Sequence, residues 1–291
     1  MILTREKKIL IVGLGVIGGG YASALTNAGY EVYSITKDKA TVDYALERGM
    51  IKYGTTEVEP DIISNADLII FALYPTVFID WIEKYGNLIP KGAIITDVSG
   101  VKSQVVYRVQ DMLPEGVEFI SAHPMAGREM SGVEYSDPKV FMGANYIITP
   151  TDKNTDFAIE LCRELGEILG FGRISVISPE EHDGMIAFLS QLTHCIAVSL
   201  MTCNTTDGLE KYTGDSFRDL TRIAKINDRM WAELFIMNKD ALLPEMDSFI
   251  KDFTEFRAML EREDSEGMRR KMRLSTERRS LFDKEKGKLP V

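Results

Sequence analysis

The sequence is poor in the residues that build disulfide frameworks and metal sites. It contains three cysteines and three histidines among 291 residues. Cys162, Cys195 and Cys203 are odd in number and show no Cys-x-x-Cys spacing, which argues against a disulfide scaffold and a thiolate metal centre. The histidines are too scattered to predict a metal cluster. We therefore expect no metal ion and a reducing, cytoplasmic location.

Excess positive charge and long apolar runs are also missing. The 34 lysines and arginines are outnumbered by 44 aspartates and glutamates, which gives a formal net charge of -10. Such a protein is repelled by nucleic acid and by anionic membranes. No stretch approaches the roughly 20 apolar residues that cross a bilayer, and glycine interrupts the first apolar stretch too early for a signal peptide. We therefore expect that the protein binds neither nucleic acid nor a membrane. An anionic substrate would require local positive charge at its binding site.

Up to about residue 177 the sequence alternates short apolar runs with amphipathic stretches. This alternation is typical of a parallel sheet covered by helices. Several runs are continuous isoleucine, leucine and valine, as strands buried on both faces require. Strands are predicted over residues 9–12, 31–35, 68–73, 93–97, 118–121, 146–149 and 173–177.

Beyond residue 177 the pattern changes to long helical periodicity. Pro179, followed by two glutamates, indicates a helix start. Helices are predicted over residues 180–202, 216–225, 228–237, 242–262 and 266–286. The sequence therefore predicts an α/β domain over residues 1–177, with a doubly wound and mostly parallel sheet, and an all-helical domain over residues 178–291.

A glycine-rich segment follows the first strand and opens the first helix. It matches the G-x-G-x-x-G pattern in the strand, turn and helix context of a dinucleotide site. Its glycines permit the tight turn, the approach of a pyrophosphate and the packing of helix on strand, in that order, and the helix N-terminus attracts phosphate. We predict a Rossmann-type NAD(P) site; the alternative is a turn that uses glycine only for backbone freedom. The six residues are Gly13, Leu14, Gly15, Val16, Ile17 and Gly18.

The residues after the second predicted strand bear on the choice between NAD and NADP. NAD enzymes usually carry an acidic residue there, whereas this chain has Thr36 and Lys37. A hydroxyl and an ammonium tolerate or favour a 2′-phosphate. We predict that the cofactor is NADP or NAD, with NADP preferred. NAD stays an alternative because the carboxylate of Asp38 is close enough in the sequence to bind the ribose.

Polar residues that could carry chemistry follow the strands and recur on one predicted helix. His123 lies after the strand over 118–121, and a neutral imidazole can remove a hydroxyl proton near pH 7. It is our candidate general base, with a structural strand-end histidine as the alternative. Small and polar residues also form a stripe along one face of the helix predicted over 180–202. This stripe either lines a cavity or faces solvent. Its members are Asp183, Ala187, Ser190, Gln191 and His194.

A second polar pair lies on the next predicted helix. Asp219 and Arg222 are three residues apart, a spacing at which the carboxylate can hold the guanidinium in one direction. An oriented arginine binds a substrate carboxylate through two hydrogen bonds. The alternative is an ordinary surface ion pair.

Taken together, the motifs GLGVIGG, DVSGVK, HPMAG, SPEEHD, SQLTH and FRDLTRIA resemble the prephenate and arogenate dehydrogenase family of tyrosine biosynthesis. The likeness spans nearly the whole chain in the family's order. It implies a Rossmann domain followed by a helical domain that forms a homodimer. It also implies NAD(P)-dependent oxidative decarboxylation, which gives 4-hydroxyphenylpyruvate from prephenate or tyrosine from arogenate.

The resemblance also implies roles for individual residues. His123 would deprotonate the ring hydroxyl while hydride leaves the same carbon for the nicotinamide and carbon dioxide leaves the opposite carbon. Arg222 would anchor a substrate carboxylate, His194 would face the substrate side chain, and Lys102 would end the loop that approaches the cofactor. The remaining substrate-pocket positions are Glu129, Asp219, Gln191 and Trp231.

The sequence departs from the family pattern in two places. The family loop commonly reads Gly-Ser-Val-Lys, with its serine bonded to the catalytic histidine, whereas here the order is Ser99, Gly100, Val101 and Lys102. Ser99 is the candidate replacement, although adjacent side chains diverge. Gln191 stands where a histidine is frequent, which would alter selectivity for the substrate side chain.

Two other functions are compatible with this organisation. One is a β-hydroxyacid type dehydrogenase, but such enzymes rely on a helical lysine and residues 185–201 contain none. The other is a catalytically weakened NADP-binding regulator, which the displaced loop serine would explain. The preference between prephenate and arogenate stays open. No feedback by tyrosine through a separate module is expected.

Overall fold

The computed structural model describes residues 2–127 and 130–283. The chain forms two compact units, one up to Leu242 and one from Leu243 onward. The first unit contains the sheets and the first helices of the helical region. In the second, an ion pair between Lys271 and Asp252 (2.5 Å) joins two helices. The domain boundary between residues 177 and 178 stays a prediction.

A six-stranded parallel sheet forms the centre of the first unit. Its spatial order is β3-β2-β1-β4-β5-β6, and β1 and β4 are buried along their whole length, as predicted for apolar strands covered on both faces. The short edge strand β3 was not predicted, because Tyr-Gly-Thr offers no apolar run. The strands are β1 (Ile9–Val12), β2 (Val32–Ile35), β3 (Tyr53–Thr55), β4 (Leu68–Phe71), β5 (Ile94–Asp97) and β6 (Glu118–Phe119).

Helices cover both faces of this sheet. Ile9 and Ile11 of β1 pack into one apolar core, and Leu10 and Val12 pack into another on the opposite face, because successive side chains of a strand alternate in direction. The sheet is therefore doubly wound. The helices are α1 (Val16–Asn27), α2 (Lys39–Glu47), α3 (Pro60–Ser64), α4 (Pro75–Tyr85), α5 (Ser103–Met112) and α6 (Asp156–Ile168).

A smaller sheet carries His123. It contains β7 (Ser121–Pro124), β8 (Asn145–Thr149) and β9 (Arg173–Val176), with β7 antiparallel and β9 parallel to β8. The prediction of one strand over 118–121 with His123 beyond its end is wrong. Ile120 N–H still donates to Ile95 O (3.0 Å) in the large sheet, but from residue 121 onward the chain pairs with β8, so His123 lies within a strand.

The helical region begins where the sequence predicts. Ser178, just before Pro179, and Glu181, two residues after it, form a reciprocal capping box, which satisfies two of the open N–H groups at the helix start. The helices are α7 (Pro179–Ile186), α8 (Thr193–Thr202), α9 (Asp215–Thr221), α10 (Asp228–Met237), α11 (Lys239–Glu261) and α12 (Ser265–Ser280). The predicted fold class, a Rossmann-type sheet followed by a helical domain, is confirmed.

Two of the predicted helices are interrupted. The helix predicted over 180–202 contains a π-helical segment, Ala187–Leu192, between α7 and α8. The helix predicted over 216–225 ends at Thr221, and Arg222 opens a 3-10 turn, Arg222–Ala224. Asp219 and Arg222 therefore do not share a regular helix as predicted. Regular 3.6-residue spacing in a sequence gives no sign of either change of pitch.

Candidate active site

The glycine loop between β1 and α1 can accommodate a dinucleotide. Gly13 has a φ of +96°, and a Cβ there would lie 2.5 Å from Ala72 O. A Cβ at Gly18 would lie 2.0 Å from Gly13 O, whereas a Cβ at Gly15 would meet nothing within 4 Å. Gly13 and Gly18 are thus required by the turn and by close packing, while the open side at Gly15 lets a pyrophosphate approach the backbone and the N-terminus of α1.

The two glycines that follow the fingerprint are required by the protein itself. A Cβ at Gly19 would lie 2.7 Å from Ser136 Oγ, and a Cβ at Gly20 would lie 2.8 Å from the Phe141 ring. Both contacts come from the segment between β7 and β8. These glycines therefore admit neighbouring chain segments.

The segment after β2 contains the residues predicted to select the cofactor. Thr36 is half-buried, and its N–H donates to Thr55 O (3.0 Å), while Lys37 is exposed. Asp38 accepts hydrogen bonds from the Thr41 hydroxyl (2.8 Å) and the Thr41 N–H (3.1 Å). These bonds lower the pKa of Asp38, the side-chain bond most, and commit its carboxylate to capping α2.

Asp97, at the end of β5, is the centre of a buried polar cluster, named here the Asp97 cluster. It accepts hydrogen bonds from the Lys102 ammonium (3.1 Å to each oxygen), the Ser121 hydroxyl (2.5 Å), the Ala122 N–H (3.1 Å) and the Ser99 hydroxyl. The Lys102 ammonium also donates to Ala122 O (2.7 Å). Burial lowers the pKa of Lys102, against the opposing effect of Asp97. The cluster holds β7 against the end of β5.

Two residues predicted as catalytic belong to this cluster. Ser99 is 5% exposed, and its hydroxyl bonds Asp97 and Val101 O (2.9 Å). Lys102 is 0% exposed, with its ammonium surrounded by oxygen atoms of the protein. Polar groups that are fully paired inside the protein have no atoms left to bind a ligand. We interpret Ser99 and Lys102 as supporting residues that position the strand of His123.

His123 is connected to two residues of α7 by short contacts. Its Nδ1 lies 2.8 Å from His182 Nε2, and His182 Nδ1 lies 2.8 Å from Asp183 Oδ1. His182 is fully buried, and His123 is half-buried. Asp183 also accepts the backbone N–H groups of Lys102 and Ser103 (2.8 Å each) at the start of α5. The candidate base is thus held from its Nδ1 side.

The other ring nitrogen of His123 faces the loop between β5 and α5. A Cβ at Gly100 would lie 3.7 Å from His123 Nε2 and 3.6 Å from Leu234 Cδ1, which are ordinary van der Waals distances. Position 100 is therefore the loop position next to Nε2. Because it is glycine, position 100 itself has no side chain that could contact this nitrogen.

A second group of predicted residues surrounds α10. The rings of His194 and Trp231 are stacked, with centroids 3.7 Å apart, and His194 Nδ1 lies 2.8 Å from Ser190 O. Gln191 is 1% exposed, donates to Leu234 O (3.1 Å) and accepts from the Asn238 amide (2.7 Å). We interpret Gln191 as a packing residue that holds α10, whereas His194 and Trp231 form a half-buried surface.

The arginine predicted to bind substrate lies next to the helix of His194. Arg222 is exposed and opens the 3-10 turn that packs against α8. Asp219 is exposed on α9. Glu129 lies outside the described residues. The convergence of His123 and Arg222 on one substrate stays a prediction.

Sequence reasoning missed His182 and misread Asp183. The motif SPEEHD was noticed only as part of a resemblance, and Asp183 was assigned to a cavity-lining stripe. The available signal was a histidine and an aspartate in the first turns of an otherwise apolar helix, where buried polar groups need partners. Their joint role depends on His123 and α5, which are distant in the sequence and meet α7 only in the folded protein.

Comparison with known proteins identifies the family. Residues 21–174 match the family model for the nucleotide-binding domain of prephenate dehydrogenase, and residues 178–274 match the model for its dimerization domain. Prephenate dehydrogenase of Bacillus subtilis is 31% identical over 97% of this chain and 78% of its own length. Cyclohexadienyl dehydrogenase of Zymomonas mobilis is 31% identical over 91% of this chain and 92% of its own length.

A solved structure agrees with these relatives. Prephenate dehydrogenase of Aquifex aeolicus, crystallised with hydroxyphenyl propionate and NAD+, is 29% identical and superposes with a TM-score of 0.88. The match covers 97% of this chain and 99% of the Aquifex chain. With both family models matched and the fold shared over nearly its full length, this chain belongs to the prephenate dehydrogenase family.

Proposed function

We propose that this chain catalyses the NAD(P)-dependent oxidative decarboxylation of prephenate or arogenate. The observation that carries the proposal is the position of His123, whose Nε2 lies next to the loop position Gly100, in a chain that also has the glycine cradle for a dinucleotide. The matched family models support it over a β-hydroxyacid dehydrogenase.

His123 serves as the general base in this proposal. Burial lowers the pKa of His123 well below its usual value, and His182 and Lys102 lower it further. The imidazole is therefore neutral near pH 7 and can accept the hydroxyl proton of the substrate. A bound nicotinamide supplies the hydride acceptor. Loss of the hydroxyl proton raises the electron density on the carbon that releases hydride.

The substrate carboxylates require positive charge on a protein with net charge -10. Arg222 is proposed to bind one of them, since a guanidinium binds a carboxylate through two hydrogen bonds. His194 and Trp231 are proposed to contact the remainder of the substrate with their stacked rings. The backbone of the Gly15 loop and the N-terminus of α1 would hold the cofactor pyrophosphate.

We propose a preference for NADP over NAD. Lys37 is exposed beyond β2, and Asp38, the nearest carboxylate, is committed to capping α2. A 2′-phosphate would gain an ammonium partner there, while a ribose 2′-hydroxyl would find no free carboxylate on this segment.

Lys37→Ala is expected to raise KM for NADP about fivefold and to leave KM for NAD nearly unchanged. A fivefold change in KM corresponds to roughly 1 kcal/mol, the contribution of an exposed pair of opposite charges. Steady-state kinetics with each cofactor measures it. Lys39→Ala is the matched control, because the Lys39 ammonium is paired with Asp43 at 2.7 Å. Equal changes for both cofactors, or a strong NAD preference of the unmodified protein, would refute the preference.

We propose that the chain forms a homodimer through its helical region. Within residues 2–127 and 130–283, one helical run, Pro179–Thr202, is long and apolar enough to cross a membrane by length and composition, contrary to expectation. Its buried polar residues His182 and Gln191 bond inside the protein, while Phe188 and Leu189 are exposed. A second copy would cover this apolar surface.

Light scattering is expected to give twice the chain mass of 32.7 kDa. The matched dimerization model supports this expectation. A mass of one chain at micromolar concentration would contradict the homodimer. The cytoplasmic location stays a prediction.

Enzyme assays test the proposed function. Purified protein is mixed with prephenate or arogenate and with either cofactor, and reduced nicotinamide is followed by its absorbance. Turnover with at least one substrate is expected, and direct competition between the two substrates gives the preference. Cofactor binding without turnover of either substrate would instead favour a regulator that has lost activity.

A further inference from the structure

The contacts of His123, His182 and Asp183 form a chain in which each proton can be assigned. Asp183 accepts the N–H groups of Lys102 and Ser103 at the start of α5. Burial alone would raise the pKa of Asp183, but bonds from His182 and the Ser103 backbone outweigh it and lower the pKa. Asp183 is therefore an ionised carboxylate, which can only accept hydrogen bonds.

The carboxylate determines the tautomer of His182. Since Asp183 only accepts, His182 Nδ1 must carry the proton of their 2.8 Å contact. Burial lowers the pKa of His182, although its bond to Asp183 opposes the change, so the ring is neutral near pH 7. A neutral imidazole protonated at Nδ1 has a lone pair at Nε2.

The same reasoning extends to His123. His182 Nε2 accepts, so the 2.8 Å contact requires that His123 Nδ1 donates. The neutral ring of His123 then has its lone pair on Nε2, the nitrogen that faces Gly100. This is the nitrogen that a base needs free for the substrate proton.

We propose that His182 and Asp183 are positioning residues that fix the tautomer and the direction of the His123 ring, so that Nε2 is the atom that accepts the substrate proton. The role of His123 as base rests on the proposed function. The assignment of the ring protons rests on the two hydrogen bonds together with an ionised Asp183 and a neutral His182.

The loop between β5 and α5 offers no hydroxyl group at positions 99 and 100 that could hold the His123 ring at Nε2. Position 100, next to Nε2, is glycine, and the Ser99 hydroxyl is bonded to Asp97 and Val101 O. Neither residue brings a hydroxyl to the Nε2 side of His123. The hydrogen bond that we infer to orient the ring is therefore the one at Nδ1, which His182 makes.

Nitrogen NMR of 15N-histidine protein tests the tautomer directly. The chain has three histidines, and His123→Asn, His182→Gln and His194→Gln assign the three rings by loss of signal. At neutral pH, His123 of the unmodified protein is expected to be protonated at Nδ1 and bare at Nε2. A proton on Nε2 of His123 would overturn the proposal without any variant having to fold.

Substitutions of His182 test whether it causes this state. His182→Leu removes the acceptor and is expected to allow the Nε2–H tautomer of His123. In His182→Gln the amide oxygen can accept from His123 Nδ1, so the native tautomer is expected to persist. Gln191→Leu is the control for breaking a buried hydrogen bond on the same helical run, and it should leave the tautomer unchanged. An unchanged His123 tautomer in His182→Leu would refute the proposal.

Kinetics supply a second readout. His182→Leu is expected to lower kcat about 10- to 100-fold, by analogy with the loss of residues that orient metal-bound histidines. KM for the substrate should change little, and His182→Gln should recover most of kcat. Equal losses of kcat in both variants, or a change in KM alone, would indicate a packing role. If the unmodified protein turns over neither substrate, the proposed function fails while the NMR result still decides the tautomer.

Discussion

His123→Asn is expected to lower kcat by about two to four orders of magnitude, the range that general acid–base catalysis contributes. The asparagine amide can occupy the place of the ring Nδ1 and keep a hydrogen bond to His182, so the fold of β7 should be retained. It has no atom in the place of Nε2, the nitrogen next to Gly100. The loss should therefore fall on kcat, with substrate KM little changed.

Steady-state kinetics with prephenate and arogenate measure this effect. Arg222→Gln is the comparison variant, because a carboxylate contact exists in the ground state and the transition state alike and its loss chiefly raises KM. Thermal unfolding of both variants should match the unmodified protein. Activity within about tenfold of the unmodified protein in His123→Asn would show that another group removes the proton.

Asp97→Asn is expected to destabilise the protein by about 3–5 kcal/mol, the usual cost of removing one partner of a buried ion pair. The Lys102 ammonium is 0% exposed and lies 3.1 Å from both Asp97 oxygens. Without the carboxylate, this cation would remain in the interior without the partner that its ammonium contacts directly. The same carboxylate also holds Ser121 and the Ala122 N–H, so β7 would loosen.

A double-mutant cycle tests this reason. Lys102→Met alone leaves the Asp97 carboxylate uncompensated and should also be costly. The double variant Asp97→Asn with Lys102→Met should cost less than the sum of the two single variants, because neither charge remains. Urea unfolding measures the free energy of unfolding of the two single variants and of the double variant. Strict additivity would mean that the charges do not stabilise each other.

Local sequence signals were sufficient for most of the fold. The strand over 9–12 and the helix over 228–237 have the predicted bounds, because each is a run of one periodicity with clear ends. Pro179 and the two glutamates after it indicated the start of the helical region, where the structure has a helix that begins at Pro179. The glycine fingerprint was recognisable because its spacing reflects backbone geometry that other residues cannot adopt.

The features that the sequence did not reveal depend on distant partners. The change of sheet between residues 119 and 121 depends on β8, which lies more than twenty residues downstream. Ser99 was the candidate replacement for the loop serine, and nothing in the sequence indicated that its hydroxyl bonds Asp97 and Val101 O. The contact of His123 with His182 joins residues 59 positions apart, and no local pattern predicts such a pair.

The π-helical segment Ala187–Leu192 constrains changes in chain length. Each residue of an α-helix turns the chain by about 100° around the helix axis. Deletion of one residue within this segment would therefore restore regular pitch and rotate α8 around its axis. Asp183 would keep its bonds to α5, while His194 would swing away from Trp231. The eleven-residue separation of Asp183 and His194 therefore fixes the directions of these two side chains relative to each other. We expect substitutions between them to be tolerated better than insertions or deletions.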